Sequence, residues 1–312
     1  MKTYVMEPMP GYFWQKIKEN NWERYFQKDT QVNLEKIEII IIRTKTNFDK
    51  EYFQKFPNLK LIIRAGSGFD NIDILEAEKR NVIVCNTPEA NAIPAYEHTL
   101  SFIFALIKQH QKCKSLVLNE DWNKNFSQNW EISDLKVLVV GVGRVGTRVA
   151  KALKFLGTEV KGVDPYLTNL EWNEKDVNKI SYNKGLEWCN LLTYHCPLTQ
   201  ETLNYFSESI LKELKNPVWL INTARGGIVD ENVIEQGLSS GKILGFASDV
   251  FCEEPWKVQE FAKKENVILS PHTASFTEKA KKRMAIETLE VWSEYVFHHD
   301  IISEIDKRFY LE

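Results

Sequence analysis

The chain has 312 residues, a length that suggests two domains at roughly 150 residues per domain. Its 40 basic and 43 acidic side chains give a net charge of −3, which disfavours binding to nucleic acid or to an anionic membrane surface. A hydrophobic content of 43% with 27% charged residues is typical of a globular protein and excludes a disordered or collagen-like chain.

The sequence carries no pattern for membrane insertion, secretion or metal binding. The strongest apolar run, residues 39–42, is far shorter than the roughly 18 residues that a membrane-spanning helix needs. No apolar stretch of signal-peptide length precedes Glu7, so we expect a cytoplasmic protein. The five cysteines are widely spaced without a Cys-x-x-Cys pair, which argues against a disulfide framework and a zinc site, and no metal is predicted.

Short apolar runs alternate with amphipathic segments along most of the chain, which is typical of parallel α/β architecture. Several runs are almost continuously apolar, as in strands that are buried on both faces. The predicted strands are residues 37–43, 59–64, 82–86, 136–140, 159–163, 191–195, 218–222, 243–247 and 267–270. Shorter helices are predicted at 144–156 and 231–238.

Two long helical patterns, residues 96–112 and 275–297, each follow a series of βα units. The chain is therefore expected to cross from a first α/β domain into a second at one helix and to return at the other. Two domains that simply follow one another are the alternative. The crossing model predicts two Rossmann-like or flavodoxin-like parallel-sheet domains, a smaller discontinuous one of residues 1–96 and 288–312 and a continuous one of residues 97–287.

The predicted strand 136–140 runs directly into Gly141-Val-Gly143-Arg-Val-Gly146, and a predicted helix follows. This context is the one that a dinucleotide-binding Gly-x-Gly-x-x-Gly motif requires. Gly141 permits a tight turn, Gly143 lets the backbone approach a pyrophosphate, and Gly146 allows close packing of helix on strand. Asp164, at the end of the next strand, can bind both ribose hydroxyls and would repel the 2′-phosphate of NADP, so the predicted cofactor is NAD.

The last three predicted strands end in side chains that suit chemistry on an organic acid. Arg225 follows the first of them, where it would face the ligand crevice and could hold a carboxylate with two hydrogen bonds. Glu254 follows the second and His272 the third. Together they form a candidate catalytic set on the sheet that carries the glycine motif.

Further motifs accompany these residues, and all of them fall in one order along residues 43–277. The motifs are Ala65-Gly-Ser-Gly-Phe-Asp-Asn-Ile-Asp73, Asn86-Thr-Pro88, Gly141 to Gly146, His195-Cys-Pro-Leu-Thr199, Thr223-Ala-Arg-Gly-Gly227, Asp249-Val-Phe-Cys-Glu-Glu-Pro255 and Pro271-His272. In order and approximate spacing the chain resembles the NAD-dependent D-isomer specific 2-hydroxyacid dehydrogenase family. The interleaved domains of that family favour the crossing model. Because the chain ends at Glu312, we expect none of the regulatory carboxy-terminal domains that some members append.

The resemblance implies roles for individual residues. Arg225 would bind the substrate carboxylate, His272 would act as acid and base, and Glu254 would pair with His272. The residues implied to hold the substrate from the other domain are Ala65, Gly66, Ser67 and Gly68. The residues implied to contact NAD are Gly141, Gly143, Arg144, Val145, Gly146, Asp164, His195, Cys196, Pro197, Thr202, Thr223, Ala224, Arg225, Asp249 and His272.

The substrate is less sharply indicated than the reaction. Arg43, Lys45 and Arg64 follow the first two predicted strands, so three cations could converge near the substrate loop; alternatively they face solvent or the domain interface. Convergence would suit a phosphorylated acid and is similar to the pattern in D-3-phosphoglycerate dehydrogenases, enzymes of serine biosynthesis. Reduction of glyoxylate or hydroxypyruvate is a second candidate activity. An NAD(H)-sensing scaffold, like the corepressors that share this fold, is a third.

Two further expectations concern surfaces and the remaining histidines. The helix 96–112 and the segment 122–130 look like the dimer contact of this family, so a homodimer is predicted. His98, His110, His298 and His299 lie on predicted helices and are expected to be ordinary surface or core residues.

Overall fold

The computed structural model describes residues 1–27, 33–122 and 129–305. Within these ranges the strands are β1 (Thr3–Val5), β2 (Phe26–Gln27), β3 (Ile39–Ile42), β4 (Leu61–Arg64), β5 (Ile83–Asn86), β6 (Lys136–Val140), β7 (Glu159–Val163), β8 (Asn178–Lys179), β9 (Leu191–Tyr194), β10 (Val218–Asn222), β11 (Ile243–Ser248) and β12 (Val267–Leu269). The α-helices in the same ranges are α1 (Gly11–Glu19), α2 (Lys50–Gln54), α3 (Ile74–Lys79), α4 (Ala92–Ile107), α5 (His110–Leu118), α6 (Arg144–Phe155), α7 (Asn169–Lys175), α8 (Tyr182–Trp188), α9 (Glu208–Glu213), α10 (Ile234–Ser239) and α11 (Glu278–Ser293).

The chain divides into two compact units, and each is built on a parallel sheet. The first unit combines Met1–Ala92 with Phe276–Glu312, and its sheet has the order β2-β1-β3-β4-β5. The second unit, Ile93–Ser275, has a sheet of order β12-β11-β10-β9-β6-β7-β8. The predicted fold class of two parallel-sheet α/β domains, the smaller one discontinuous, is confirmed.

The central strands of the second sheet are buried on both faces. Along β6, Val137 and Val139 lie in one hydrophobic cluster while Leu138 and Val140 lie in another, because successive side chains of a strand point to opposite faces. Helices α4 and α6 cover the first of these faces. The near-continuous apolar sequence of β6 follows from this double burial.

The carboxy-terminal part of the chain completes the first unit. Met284, Ala285 and Leu289 of α11 are buried in the same cluster as residues of β3 and β4, and the indole N–H of Trp292 donates to the hydroxyl of Thr3 at 2.8 Å. The division before Phe276 therefore places all of α11 in this unit, whereas the predicted boundary at 287/288 lies within the helix. Residues 303–305 hydrogen-bond to β5, and residues 306–312, also expected there, lie outside the described residues.

The predicted helix 96–112 is in fact two helices. It begins earlier than expected, at Ala92, since Pro94 falls in the first turn, where proline is tolerated. It ends at Ile107, and Gln109 adopts the left-handed conformation with φ 49° before α5 starts. Of the segment 122–130 that was expected to form a dimer contact, residues 123–128 lie outside the described residues.

Other differences from the sequence prediction are local. Strands β1, β2 and β8 were missed because each has only two or three residues. The segment 231–238 begins as a 3-10 turn, Glu231–Val233, before α10. The second long helix starts at Glu278, where the Thr277 hydroxyl accepts the N–H of Ala280, and a π-helical turn, Glu294–His298, follows it. No helix in the described ranges has both the length and the apolar content needed to cross a bilayer.

Candidate active site

The loop after β6 is shaped by its three glycines. Gly141 has φ +88°, and a Cβ there would stand 2.5 Å from the backbone N of Cys196. A Cβ on Gly146 would overlap the carbonyl oxygen of Gly141. Gly143 differs, because among the described residues no atom apart from its chain neighbours lies within 4 Å of a Cβ built there. The space beside Gly143, at the start of α6, could therefore admit a phosphate group, as dinucleotide binding requires.

Asp164 follows β7 at the edge of this loop. Its Oδ2 accepts the N–H of Val142 at 2.9 Å, and its Oδ1 accepts the N–H of Tyr166 at 3.1 Å. These bonds fix the carboxylate, while each oxygen keeps a lone pair for a ribose hydroxyl. The placement fits the adenosine ribose of NAD.

The loop after β9 lies against the glycine motif and carries neutral side chains. Nε2 of His195 is 2.9 Å from the hydroxyl of Thr193, and burial lowers the pKa of His195 to about 3, so the ring stays uncharged. Burial likewise raises the pKa of the Cys196 thiol to about 12. The hydroxyl of Thr202 donates to the carbonyl of Pro197 at 2.7 Å and holds the loop closed.

His272 and Glu254 lie together at the ends of β12 and β11. Nδ1 of His272 is 2.7 Å from Oε2 of Glu254, and the two side chains are 45% and 39% exposed. Oε1 of Glu254 accepts the N–H of Phe251 at 3.1 Å, which orients the carboxylate. Because Nδ1 faces Glu254, Nε2 is the ring nitrogen that can exchange a proton with a substrate.

A buried carboxylate organises the loop that carries His272. The carbonyl oxygen of Asp249 accepts the N–H of His272 at 2.8 Å, and its side chain accepts the N–H groups of Thr273 at 2.8 Å and Ala274 at 2.9 Å. The Ser270 hydroxyl donates to the same carboxylate. Asp249, which the family resemblance implies as an NAD contact, is 1% exposed and bound to this loop.

A second buried carboxylate, Glu231, holds the loop that carries Glu254. It accepts the N–H of Cys252 at 2.8 Å, the indole N–H of Trp256 at 2.7 Å and the amide N–H of Gln259 at 3.3 Å. Sequence reasoning missed this residue. Its only sequence signal is its position shortly after the Thr-Ala-Arg-Gly-Gly motif.

Arg225 stands at the end of β10, the neighbour of β11. The amide of Asn222 donates to the carbonyl of Arg225 at 2.8 Å and accepts the N–H of Ala224 at 3.1 Å. A Cβ on Gly226 would overlap the main chain of Phe251. The loops that carry Arg225 and Glu254 are therefore in direct backbone contact at Gly226. Thr223, just before this turn, is 2.8 Å from the hydroxyl of Thr99 on α4.

The predicted substrate loop, Ala65 to Gly68, follows β4 in the first unit. The N–H of Gly66 donates to the hydroxyl of Thr87 at 2.6 Å, and the amide of Asn86 donates to the carbonyl of Ser67 at 2.7 Å. Gly66 has φ +138°, a conformation that favours glycine. The motif Asn86-Thr-Pro88 thus holds the loop from the end of the next strand.

The three predicted cations lie at the same edge of this sheet. Ile42 at the end of β3 is the register partner of Arg64 at the end of β4. Arg43, the residue after Ile42, therefore lies at the strand end next to that of Arg64. Arg64 is only 8% exposed and contacts the carbonyl of Ala65 at 3.4 Å, whereas Lys45 is exposed. The structure therefore places Arg64 against the predicted substrate loop, whereas the side chain of Arg43 binds the carbonyl of Pro8 at 3.1 Å.

Glu7, which sequence reasoning missed, anchors the loop of Arg43 and Lys45. Its carboxylate accepts the backbone N–H groups of Arg43, Lys45 and Thr46 at 3.0, 3.1 and 3.0 Å. Burial disfavours the charged carboxylate, but these hydrogen bonds hold the pKa of Glu7 below its usual value. The carboxylate of Glu7 thus binds the backbone of this loop, while the guanidinium of Arg43 donates to the carbonyl of Pro8 at 3.1 Å.

Comparison with known proteins agrees with this geometry. A model of the D-isomer specific 2-hydroxyacid dehydrogenase NAD-binding domain matches residues 100–274. The D-3-phosphoglycerate dehydrogenase of Bacillus subtilis is 32% identical over 292 residues, which cover 93% of this chain and 56% of that protein. The enzyme of the same name from Archaeoglobus fulgidus is 33% identical over 247 residues, 79% of this chain and 47% of that protein. The chain spans about half the length of these curated relatives.

Solved structures of the same fold extend over nearly the whole chain. A D-lactate dehydrogenase from Aquifex aeolicus, complexed with NAD and lactic acid, superimposes with a TM-score of 0.84 at 25% identity and covers 98% of this chain and 100% of that one. A glyoxylate reductase from Paecilomyes thermophila has a TM-score of 0.88 at 18% identity, covers 99% of each chain and shares the fold. The chain therefore belongs to the D-isomer specific 2-hydroxyacid dehydrogenase family and contains its NAD-binding domain.

Proposed function

We propose that this protein is an NAD-dependent oxidoreductase that interconverts a D-2-hydroxy acid and the corresponding 2-oxo acid. The observation that carries the proposal is the 2.7 Å contact between His272 and Glu254, on the sheet that also carries the glycine loop. Bound NAD supplies the acceptor or donor of hydride. The chain has to supply proton transfer, substrate orientation and charge stabilisation.

Proton transfer falls to His272. In oxidation, Nε2 of the neutral ring takes the proton of the substrate hydroxyl, and in reduction the protonated ring returns it to the carbonyl oxygen. The carboxylate of Glu254 at Nδ1 stabilises the protonated ring and fixes its orientation. Neutral and protonated rings are both needed, one for each direction.

Substrate orientation falls to Arg225. Its planar guanidinium can hold the substrate carboxylate with two hydrogen bonds and polarise the adjacent carbonyl. The backbone of this residue is fixed by Asn222, so the side chain starts from a defined point. In the first unit, Ala65 to Gly68 are the candidate substrate contacts.

For the substrate we propose D-3-phosphoglycerate, in the serine pathway. Support comes from the placement of Arg43, Lys45 and Arg64 at adjacent strand ends, and from relatives of that name at 32% and 33% identity. Cations of this kind are suited to holding a phosphate group. A homodimer and a cytoplasmic location belong to the same proposal.

A substrate panel tests this function. Purified protein is assayed with NAD and D-3-phosphoglycerate or D-lactate, and with NADH and hydroxypyruvate or glyoxylate. We expect the highest kcat/KM with D-3-phosphoglycerate. Lys45→Gln should raise the KM for this substrate about fivefold, since one exposed ion pair with phosphate contributes about 1 kcal/mol, and should leave the KM for glyoxylate unchanged. Lys36→Gln, at another exposed lysine of the first unit, is the matched control.

The outcomes separate the two levels of the proposal. Turnover of glyoxylate or lactate without turnover of phosphoglycerate would refute the phosphorylated substrate and keep the dehydrogenase. Absence of NAD-linked turnover across the panel would refute the enzyme and favour an NAD(H)-sensing scaffold.

A further inference from the structure

His98 on α4 reaches the loop that carries His272. Its Nε2 lies 2.9 Å from the hydroxyl of Ser270 and 3.7 Å from Oδ1 of Asp249. The ring also packs against Phe102 in an edge-to-face contact at 4.4 Å, which restricts its rotation. The structure therefore places this histidine in contact with the site, although the sequence predicts an ordinary helix residue.

The direction of the hydrogen bonds follows from the donors available. The single hydroxyl hydrogen of Ser270 is donated to Asp249. The serine oxygen must then accept from His98, so Nε2 of His98 carries the hydrogen. The result is a chain of donors from His98 through Ser270 to the buried carboxylate of Asp249.

The loop at the end of this chain needs external support. His272 has φ +54°, a backbone conformation that residues other than glycine rarely adopt. Asp249 holds it through its carbonyl and through the N–H groups of Thr273 and Ala274. The angle at which the His272 ring leaves the backbone thus depends on where Asp249 and Ser270 are fixed.

We propose that His98 is a positioning residue for His272, acting through Ser270 and Asp249; this rests on the dehydrogenase function proposed above. His98 touches none of the reacting atoms. It orders the loop so that Nε2 of His272 is aligned with the substrate oxygen, and small misalignments of a catalytic group reduce turnover more than binding.

Two variants of His98 distinguish its N–H group from its bulk. His98→Gln keeps a side-chain N–H near the position of Nε2, and His98→Leu removes it. The same changes at His110, an exposed residue of α5, are the matched controls. The readouts are kcat and KM for the best substrate of the panel, and backbone hydrogen exchange of Ser270 and of residues 272–274 in the protein without cofactor.

We expect His98→Leu to lower kcat about tenfold with KM changed less than about twofold, and to speed exchange of the Thr273 and Ala274 amides. His98→Gln should keep kcat within about threefold of the parent and preserve the slow exchange. Equal kcat in both variants and the parent, or equal loss in both variants, would overturn the proposal.

Exchange also separates this proposal from the dehydrogenase proposal. Even if the parent protein turns over no substrate of the panel, faster exchange in His98→Leu but not in His98→Gln would still show that His98 stabilises the loop. Unchanged exchange in that variant rejects it whatever the activity.

Discussion

The side chains of His272 and Glu254 are both more than one third exposed, so side-chain packing alone does little to fix their positions. Their positions are fixed through the backbone of their loops. The buried carboxylate of Asp249 holds the loop of His272, and that of Glu231 holds the loop of Glu254. A hydrogen bond to a charged group contributes about 1.5–3 kcal/mol, roughly twice a neutral one. We propose that the exposed pair performs the chemistry, while the two buried carboxylates hold the loops that carry it.

Replacement of Glu254 tests the pair at this scale. Without the carboxylate at Nδ1 the protonated His272 ring loses its stabilising charge and the ring loses the acceptor that orients it. Glu254→Gln should therefore lower kcat about tenfold or more in reduction, which needs the protonated ring. The measurement is kcat and KM in both directions.

The adjacent Glu253 provides the control for this prediction. It is exposed like Glu254 and lies next to it in the chain, so Glu253→Gln makes the same change of net charge. An equal loss of kcat in both variants, or no loss in either, would remove Glu254 from its proposed role.

At the scale of elements, the glycine loop and α6 show two different uses of glycine. Gly141 and Gly146 are required by the protein itself, because their missing side chains let the β9 loop and the start of α6 approach closely. Gly143 is surrounded by open space on the side where a Cβ would stand. A side chain at this position would obstruct a bound pyrophosphate without disturbing the packing of the protein.

This difference gives a paired prediction. Gly146→Ala forces a Cβ onto the carbonyl of Gly141 and should lower the free energy of unfolding by about 1–3 kcal/mol. Gly143→Ala should change the free energy of unfolding by less than about 1 kcal/mol yet weaken NADH binding about tenfold or more. Urea unfolding and fluorescence titration with NADH measure the two effects. Unaltered NADH affinity in Gly143→Ala would contradict this placement of the cofactor.

Elements and site were predictable from the sequence to different degrees. Strand β6 and the start of α6 match the prediction to the residue, because a double-sided apolar run and a glycine motif are local signals. His98 and Ser270 are 172 residues apart, and the local sequence around neither one indicates that they meet. Glu7 and Glu231 were missed for the same reason, since only the tertiary fold reveals what a solitary buried carboxylate holds. The motif residues, by contrast, were indicated by a family resemblance.

For the whole molecule, the half-buried, neutral His195 links stability to pH. Its pKa is about 3 in the folded protein, whereas a histidine in an unfolded chain titrates near 6.5. Between these values the unfolded state binds a proton that the folded state does not, so stability decreases as pH falls below about 6.5. The slope reaches at most about 1.4 kcal/mol per pH unit.

We therefore expect the parent protein to lose about 1–2 kcal/mol more than His195→Gln between pH 6.5 and pH 5. Carboxylates with lowered pKa values, such as Glu7, add their loss only at lower pH, so the window isolates the histidine. Urea unfolding across this range is the measurement, with His110→Gln as control. Parallel stability curves for the parent and His195→Gln would show that His195 titrates normally.

The discontinuous first unit has a consequence for the order in which the chain folds during synthesis. The second unit is complete once residue 275 has left the ribosome, whereas the first unit then still lacks α11 and the segment that pairs with β5. Until they arrive, the apolar residues of β3 and β4 that contact α11 are uncovered and one edge of the sheet is unpaired. The part of this sequence that is made first is thus the part that finishes folding last, and its apolar surface is exposed in the meantime.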